Sequence, residues 1–323
     1  MTVTGEPVPR HDTVRFDVAA LGEAMVEFNQ VARGEYRQGF GGDTSNVAIA
    51  AARQGARAAY CTRIGDDPFG AMLLALWEAE GVDASGVAVD AGANTGIYFV
   101  DHDAAGHRFH YLRAGSAASR MRPADLPRDV IAGSRWLHVS GISQAISASA
   151  CESVFEAIAI AREAGARVSY DPNLRLRLWS LERARPVIER TMALADLFLP
   201  SLDEAEALAG AAGVEAVFDW CARRGARQVV LKCGTDGAWL RERPDSAPVH
   251  LAGVRAITVD ATGAGDCFDG SLLARLATGD GIGQAVRYAN RAAALSTTGF
   301  GAVAPIPHAA TLAALREQGE NPL

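Results

Sequence analysis

Lysine is nearly missing from this chain. Of its 31 basic residues Lys232 alone is a lysine, and the others are arginines. A P-loop needs Gly-Lys-Ser/Thr after its glycines, and Lys232 is followed by Cys233, so that class of phosphate site is excluded. Cysteine is scarce too: Cys61, Cys151, Cys221, Cys233 and Cys267 are odd in number and scattered, with no Cys-x-x-Cys pair. Neither a disulfide framework nor a zinc site is expected, and the pattern fits a reducing cytoplasm. No apolar run approaches the roughly 18 residues that span a bilayer, and no basic segment leads into an apolar one near Met1, so no membrane partner is expected. Basic stripes are lacking as well. With a net charge of −7, nucleic acid is not expected as a partner, and an anionic ligand must be held locally. Low-complexity tracts and internal repeats are absent.

What is present is enough apolar residue, 49% of 323, to bury a full core, and we expect one α/β domain over residues 1–323. Apolar runs at 16–21, 58–64, 136–139, 167–170, 197–200 and 228–231 read as buried strands, and most are followed by helical patterns. That alternation predicts a mostly parallel sheet with helices on both faces. Two stretches break the rhythm. Residues 25–40 and 95–113 read as short hairpin strands of an accessory sheet, a lid on one face. Tyr98 lies on it, and Tyr111 and Arg113, two apart, point to one side.

Several polar clusters sit where strands end. Gly41-Gly42 permits close backbone approach, and Asn46 follows at a helix start. Asp171-Pro-Asn-Leu-Arg175 follows one strand, and Ser201-Leu-Asp-Glu204, with capping-box spacing, follows another. The densest cluster is Asp260-Ala-Thr-Gly-Ala-Gly-Asp266, with Thr258 and Val259 read as a strand end and a helix expected from about Asp266. A helix N-terminus leaves N–H groups unpaired and carries partial positive charge, so Gly263, Ala264 and Gly265 suit a phosphate. A carboxylate there opposes a static phosphate, yet Asp266 could take a proton from a hydroxyl attacking one. Alone, the stretch also reads as a plain strand-to-helix turn with an N-terminal acid.

In this order the motifs resemble the PfkB (ribokinase-like) carbohydrate kinases over nearly the whole chain, from Phe16 to about Pro307. The resemblance implies a ribokinase-like fold, ATP and Mg²⁺ as cofactors, Gly263 to Gly265 as the anion hole and Asp266 as general base. It makes Ser201, Lys232, Gly234, Gly237, Gly263, Gly265 and Asn290 candidate nucleotide contacts, and Glu204 a metal contact through water. Ser201 stands where many members have Asn, which weakens the metal assignment. Within the family the chain looks most like 2-keto-3-deoxygluconate kinases, through Gly22-Glu-Ala-Met-Val-Glu-Phe28, Tyr111-Leu-Arg113 and Asp171-Pro-Asn-Leu-Arg175. That likeness gives Gly41, Gly42 and Asn46 to the sugar, and Tyr98, Tyr111, Arg113 and Arg175 to its carboxylate end. Two arginines suit a carboxylate, which they bind through charge-assisted hydrogen bonds. Family analogy also suggests a homodimer or higher oligomer through the lid; fructose, ribose and 2-dehydro-3-deoxygalactonate are the alternative acceptors, and a non-catalytic sensor is the alternative class.

Overall fold

The strand β1 (Phe16–Leu21) shows why the core strands read as unbroken apolar runs. Side chains of a strand point alternately to opposite faces, and here Ala19 and Leu21 enter one core while Val18 and Ala20 enter another. Such a strand belongs in the middle of a sheet covered on both sides. In this computed structural model, which describes residues 14–103 and 106–317, it does.

The chain continues through β2 (Met25–Ala32), β3 (Glu35–Gly41), α1 (Asp43–Arg53), β4 (Ala58–Gly65), α2 (Pro68–Ala79), β5 (Asp83–Asp90), β6 (Gly96–Asp103) and β7 (Gly106–Leu112). After these come α3 (Arg128–Ala132), β8 (Ser134–Ser140), α4 (Gly141–Ala145), α5 (Ala148–Glu163), β9 (Arg167–Asp171), α6 (Leu181–Leu194), β10 (Leu197–Phe198), α7 (Leu202–Ala209) and α8 (Val214–Arg223). The last part holds β11 (Gln228–Lys232), β12 (Gly237–Arg241), β13 (Val249–Ala252), α9 (Ala264–Ala277), α10 (Ile282–Ser296) and α11 (Ala309–Glu317). A nine-stranded sheet runs β13-β12-β11-β10-β9-β8-β1-β4-β5, parallel from β11 to β5 and antiparallel at β12 and β13. Helices α5 to α8 cover one face, and α1, α2, α9 and α10 the other. A separate four-stranded sheet, β3-β2-β6-β7, stands on the segments expected to form the lid. The ribokinase-like architecture is therefore present.

Three local expectations fail for identifiable reasons. Strand β5 was not foreseen, because Asp83-Ala-Ser-Gly-Val-Ala-Val-Asp90 is an edge strand of small and polar residues without an apolar run. Thr258 and Val259 are not in a strand: Val259 and Asp260 donate their N–H groups to the carbonyl of Thr297 at the end of α10 instead. The helix bearing Asn46 begins three residues earlier than expected, at Asp43. Asn46 lies within the first turn of α1, donating its backbone N–H to Gly42.

Candidate active site

The loop before α9 is built by one carboxylate. Oδ1 of Asp260 accepts from the N–H (2.9 Å) and hydroxyl (2.6 Å) of Thr262, and Oδ2 accepts from the N–H of Gly301 (2.9 Å). The turn is thus tied to the segment after α10. Gly263, the N-cap of α9, has φ +75°, and a Cβ there would come 3.0 Å from Ala302, so any larger residue is both strained and crowded. Gly263 offers no side chain to cap the first N–H groups of α9, and Gly265 is exposed with only Lys232 Nζ, at 3.6 Å, near the place a Cβ would fill. Uncapped helix N–H groups beside an open glycine form a cradle that fits a phosphate.

Asp266 stands in the first turn of α9, and Asn46 Nδ2 donates to its Oδ2 at 2.8 Å. Burial pushes the Asp266 carboxyl up to about 7, with the charges of Asp43 and Asp171 adding and the Asn46 hydrogen bond and Lys232 opposing. A carboxylate poised near neutrality is suited to general base work.

Beneath the loop lies a charged cluster. Lys232 Nζ is 2.9 Å from Asp171 and 3.1 Å from both oxygens of Asp269, and all three are buried or nearly so. Burial opposes the charge on Lys232, but the two carboxylates outweigh it and hold its pKa above the ordinary value. Burial likewise works against ionised Asp171, and Lys232 keeps that carboxyl below its usual range. The cluster joins the carboxyl ends of β9 and β11 to α9. Asp43, Asp171 and Asp269 were not foreseen as site residues. The sequence signal for Asp171 was its place at a strand's carboxyl end; Asp43 and Asp269 carried none.

Of the residues expected on the acceptor side, Asn46 bonds Asp266, Tyr98 and Arg175 lie within its electrostatic reach, and Tyr111 and Arg113 connect to them through Tyr98. Gly42, at φ +112°, lets the chain pass within reach of the Glu23 carbonyl, and Gly41 leaves room for the Tyr98 hydroxyl, which a Cβ would meet at 2.3 Å. Tyr98 donates to Glu27 Oε2 at 2.5 Å; burial, the charge and hydrogen bond of Glu27, and Asp266 hold its phenol well above its usual pKa. Tyr111 packs on Tyr98 with ring centroids 5.6 Å apart, and Arg113 sits 5.7 Å from the Tyr111 ring centroid. Arg113 is ion-paired to the buried Glu23, which also accepts from Ser116, while Arg113 Nε is buried with no acceptor among the described residues. Arg175, half exposed, donates to Glu204 at 3.1 Å and lies in the field of Asp43 and Asp266. Each arginine therefore already has a carboxylate partner.

The nucleotide candidates separate. Gly234 (φ +57°) opens a short turn with free space around it. Gly237 is needed by the fold, since a Cβ would come 2.3 Å from Leu251 O, and Asn290 donates to the carbonyls of Leu251 and Ala252 on β13. Lys232 is committed to Asp171 and Asp269. Ser201 starts α7 without capping it by its side chain, so the capping-box reading fails; its hydroxyl faces Glu204. Burial and the charge of Asp171 push Glu204 up to about 7, with Lys232 and Arg175 opposing. Among the described residues no group of three or more His, Cys, Asp or Glu could hold a metal by itself. Mg²⁺ ordinarily binds through one or two carboxylates, water and substrate phosphates, and Glu204 is the carboxylate the resemblance gives it.

A model of the pfkB family of carbohydrate kinases matches residues 15–309, and the chain belongs to that family. It is therefore a carbohydrate kinase by class. Among particular relatives it is 33% identical to fructokinase-2 of Solanum habrochaites, over 94% of this chain and 96% of that one. It is 32% identical to 2-dehydro-3-deoxygluconokinase of Bacillus subtilis (strain 168), over 91% and 93% respectively. The crystal structure of fructokinase from Vibrio cholerae O395 with fructose, ADP and calcium superposes with a TM-score of 0.84 at 33% identity, covering 92% of this chain and 97% of that one. Fructokinases predominate among the relatives found.

Proposed function

We propose that this kinase transfers the γ-phosphoryl group of ATP, as its Mg²⁺ complex, to the terminal hydroxyl of 2-dehydro-3-deoxy-D-gluconate, giving the 6-phosphate. When bound, the metal–nucleotide complex supplies the phosphoryl group and part of its charge neutralisation. The protein supplies positioning. Backbone N–H groups of Gly263, Ala264 and Gly265 hold the transferred charge, Asp266 takes the hydroxyl proton, and Glu204 would hold the metal through water. Gly42 and Asn46 hold acceptor hydroxyls. Gly234 and Ser201 line the nucleotide side.

The observation that carries the choice of acceptor is the Nε of Arg113, buried with no acceptor among the described residues, on an arginine beside the Tyr111 ring that packs on Tyr98. A buried guanidinium donor without a partner is costly, and a ligand carboxylate would satisfy it. Arg175, held by an exposed contact with Glu204, can turn to a second carboxylate oxygen. A second reading, phosphorylation of fructose, is favoured by the predominance of fructokinases among the relatives and by Glu23, which already neutralises Arg113. Initial rates with Mg²⁺ and ATP over 2-dehydro-3-deoxygluconate, 2-dehydro-3-deoxygalactonate, fructose and ribose decide. The sugar acid should be turned over best, and equal rates with fructose would remove the carboxylate from the account.

Assembly through the small sheet follows from the same reading. Val31, Tyr36 and Leu112 are exposed there, which supports pairing between copies, and light scattering on the purified protein should give at least twice the chain mass of 33.9 kDa.

A further inference from the structure

Asp266 has one oxygen engaged and, among the described residues, one to spare. The engaged oxygen is Oδ2, which accepts from Asn46 Nδ2 at 2.8 Å; the other side of the Asn46 amide, Oδ1, is buried with no donor among the described residues. With Asp266 ionised, only the N–H side of an amide can face it, since Oδ1 turned that way would set two acceptors against each other. The contact joins residues 220 apart in sequence, so something must hold α1 and α9 in register. Gly270, one turn beyond Asp266, does so. A Cβ there would come 2.3 Å from the carbonyl of Val47, 2.6 Å from Ala50 Cβ and 3.0 Å from Ala51 N. The backbone of α1 therefore fills the space a side chain at 270 would need, and Val47 is the residue after Asn46.

We propose that Asn46 is a positioning residue for the base: its amide grips Oδ2 of Asp266, leaves Oδ1 as the oxygen that takes the acceptor's proton, and is kept in register by the α1–α9 crossing at Gly270. This rests on Asp266 being the base, and it goes beyond a role for Asn46 as an acceptor ligand. In the step, the acceptor O–H proton passes to Asp266 Oδ1 as the acceptor oxygen bonds to the γ-phosphorus of ATP and the bond to the leaving ADP oxygen breaks. The other groups bearing on Asp266 are Asp43 on α1, Asp171 at the end of β9, Lys232 on β11, Arg175 in the loop after β9 and Tyr98 of the small sheet. Of these only Lys232 and Arg175 favour the carboxylate by charge. Asn46 acts on it instead as a neutral donor, by a hydrogen bond.

The test is the pH dependence of kcat and kcat/KM with saturating Mg²⁺ and ATP for the wild type, Asn46→Ala, Asn46→Asp and Gly270→Ala. Asn46→Ala should lower kcat at least about 10-fold and move the acid limb up by roughly one pH unit, with ADP affinity by calorimetry unchanged. Asn46→Asp should move it further, because two carboxylates at hydrogen-bond distance share one proton. Gly270→Ala should shift the limb in the same direction by parting the helices. Should Asn46→Ala fail to fold, Asn46→Ser is read in the same way. A raised KM for the acceptor with kcat and the acid limb unmoved would overturn the proposal, leaving Asn46 only a ligand. Asp266→Asn serves as the control: retained turnover there would instead overturn the assignment of the base.

Discussion

The two halves of the site are built in different ways. The proposed phosphoryl half is contiguous: Asp260 to Asp266 contains the turn, its carboxylate staple to Thr262 and Gly301, the glycines and the proposed base. The acceptor half is assembled from the end of β3, the first turn of α1, the strands β6 and β7 and the loop after β9, and its cations are held by carboxylates from other segments. Backbone N–H groups at a helix end need only local chain geometry to recognise a phosphate, so one motif suffices. The proposed acceptor, a sugar acid, presents hydroxyls and a carboxylate in several directions, and only side chains from several elements can meet them. On that proposal the chemistry is concentrated and the specificity distributed.

That contrast can be broken or sharpened by substitution. The largest effect is expected in the contiguous half: Asp266→Asn should cut kcat by about 10³-fold, within the range of general base contributions, while ADP binding by calorimetry stays near wild type. Next comes the cluster under the loop. Lys232→Met leaves Asp171 and Asp269 buried without their cation and should lower stability by roughly 3 kcal/mol in denaturant titration. A loss of ATP affinity without a loss of stability would return Lys232 to the nucleotide. In the distributed half, Arg175→Ala should raise KM for the sugar acid by roughly 10-fold, in line with one charge-assisted contact, and leave KM for fructose within about twofold.

The smallest effect is on stability against pH. Asp266 has its carboxyl raised from 3.8 to about 7, so its folded state favours the proton. The stability it contributes is complete below its unfolded value and is lost as pH rises through about 7. Asp266→Asn should therefore raise Tm by a few degrees at pH 8 and by less at pH 5, measured by calorimetry. With Asp266 as the proposed base, wild-type kcat/KM should fall as pH drops below about 7.

The sequence made the contiguous half legible because its meaning is local. Two glycines and an acid at a helix start are enough to suggest an anion site with a proton acceptor, and the alternating apolar runs announced the parallel sheet. Edge strand β5 escaped because a strand with one open side needs no apolar run, and Thr258-Val259 misled because an extended segment can pair with a helix end. The ion pairs were illegible for another reason. Nothing near Arg113 in sequence marks Glu23 as its partner, and nothing near Lys232 marks Asp269; only the fold brings such charges together. Lys232 and Asn290 show the converse. Their positions fit nucleotide contacts by resemblance, yet each is bound into the scaffold, Lys232 by two carboxylates and Asn290 by the carbonyls of β13.

The central claim is that arginines on the acceptor side read a carboxylate. The ratio of kcat/KM for 2-dehydro-3-deoxygluconate to kcat/KM for fructose, measured on the wild type and on Arg113→Ala, tests it most directly. The wild-type ratio should be at least about 100 and should fall by 10-fold or more in the variant, as expected when a site loses a charged partner for its ligand. A wild-type ratio near or below one, or a ratio that Arg113→Ala leaves unchanged, would contradict it.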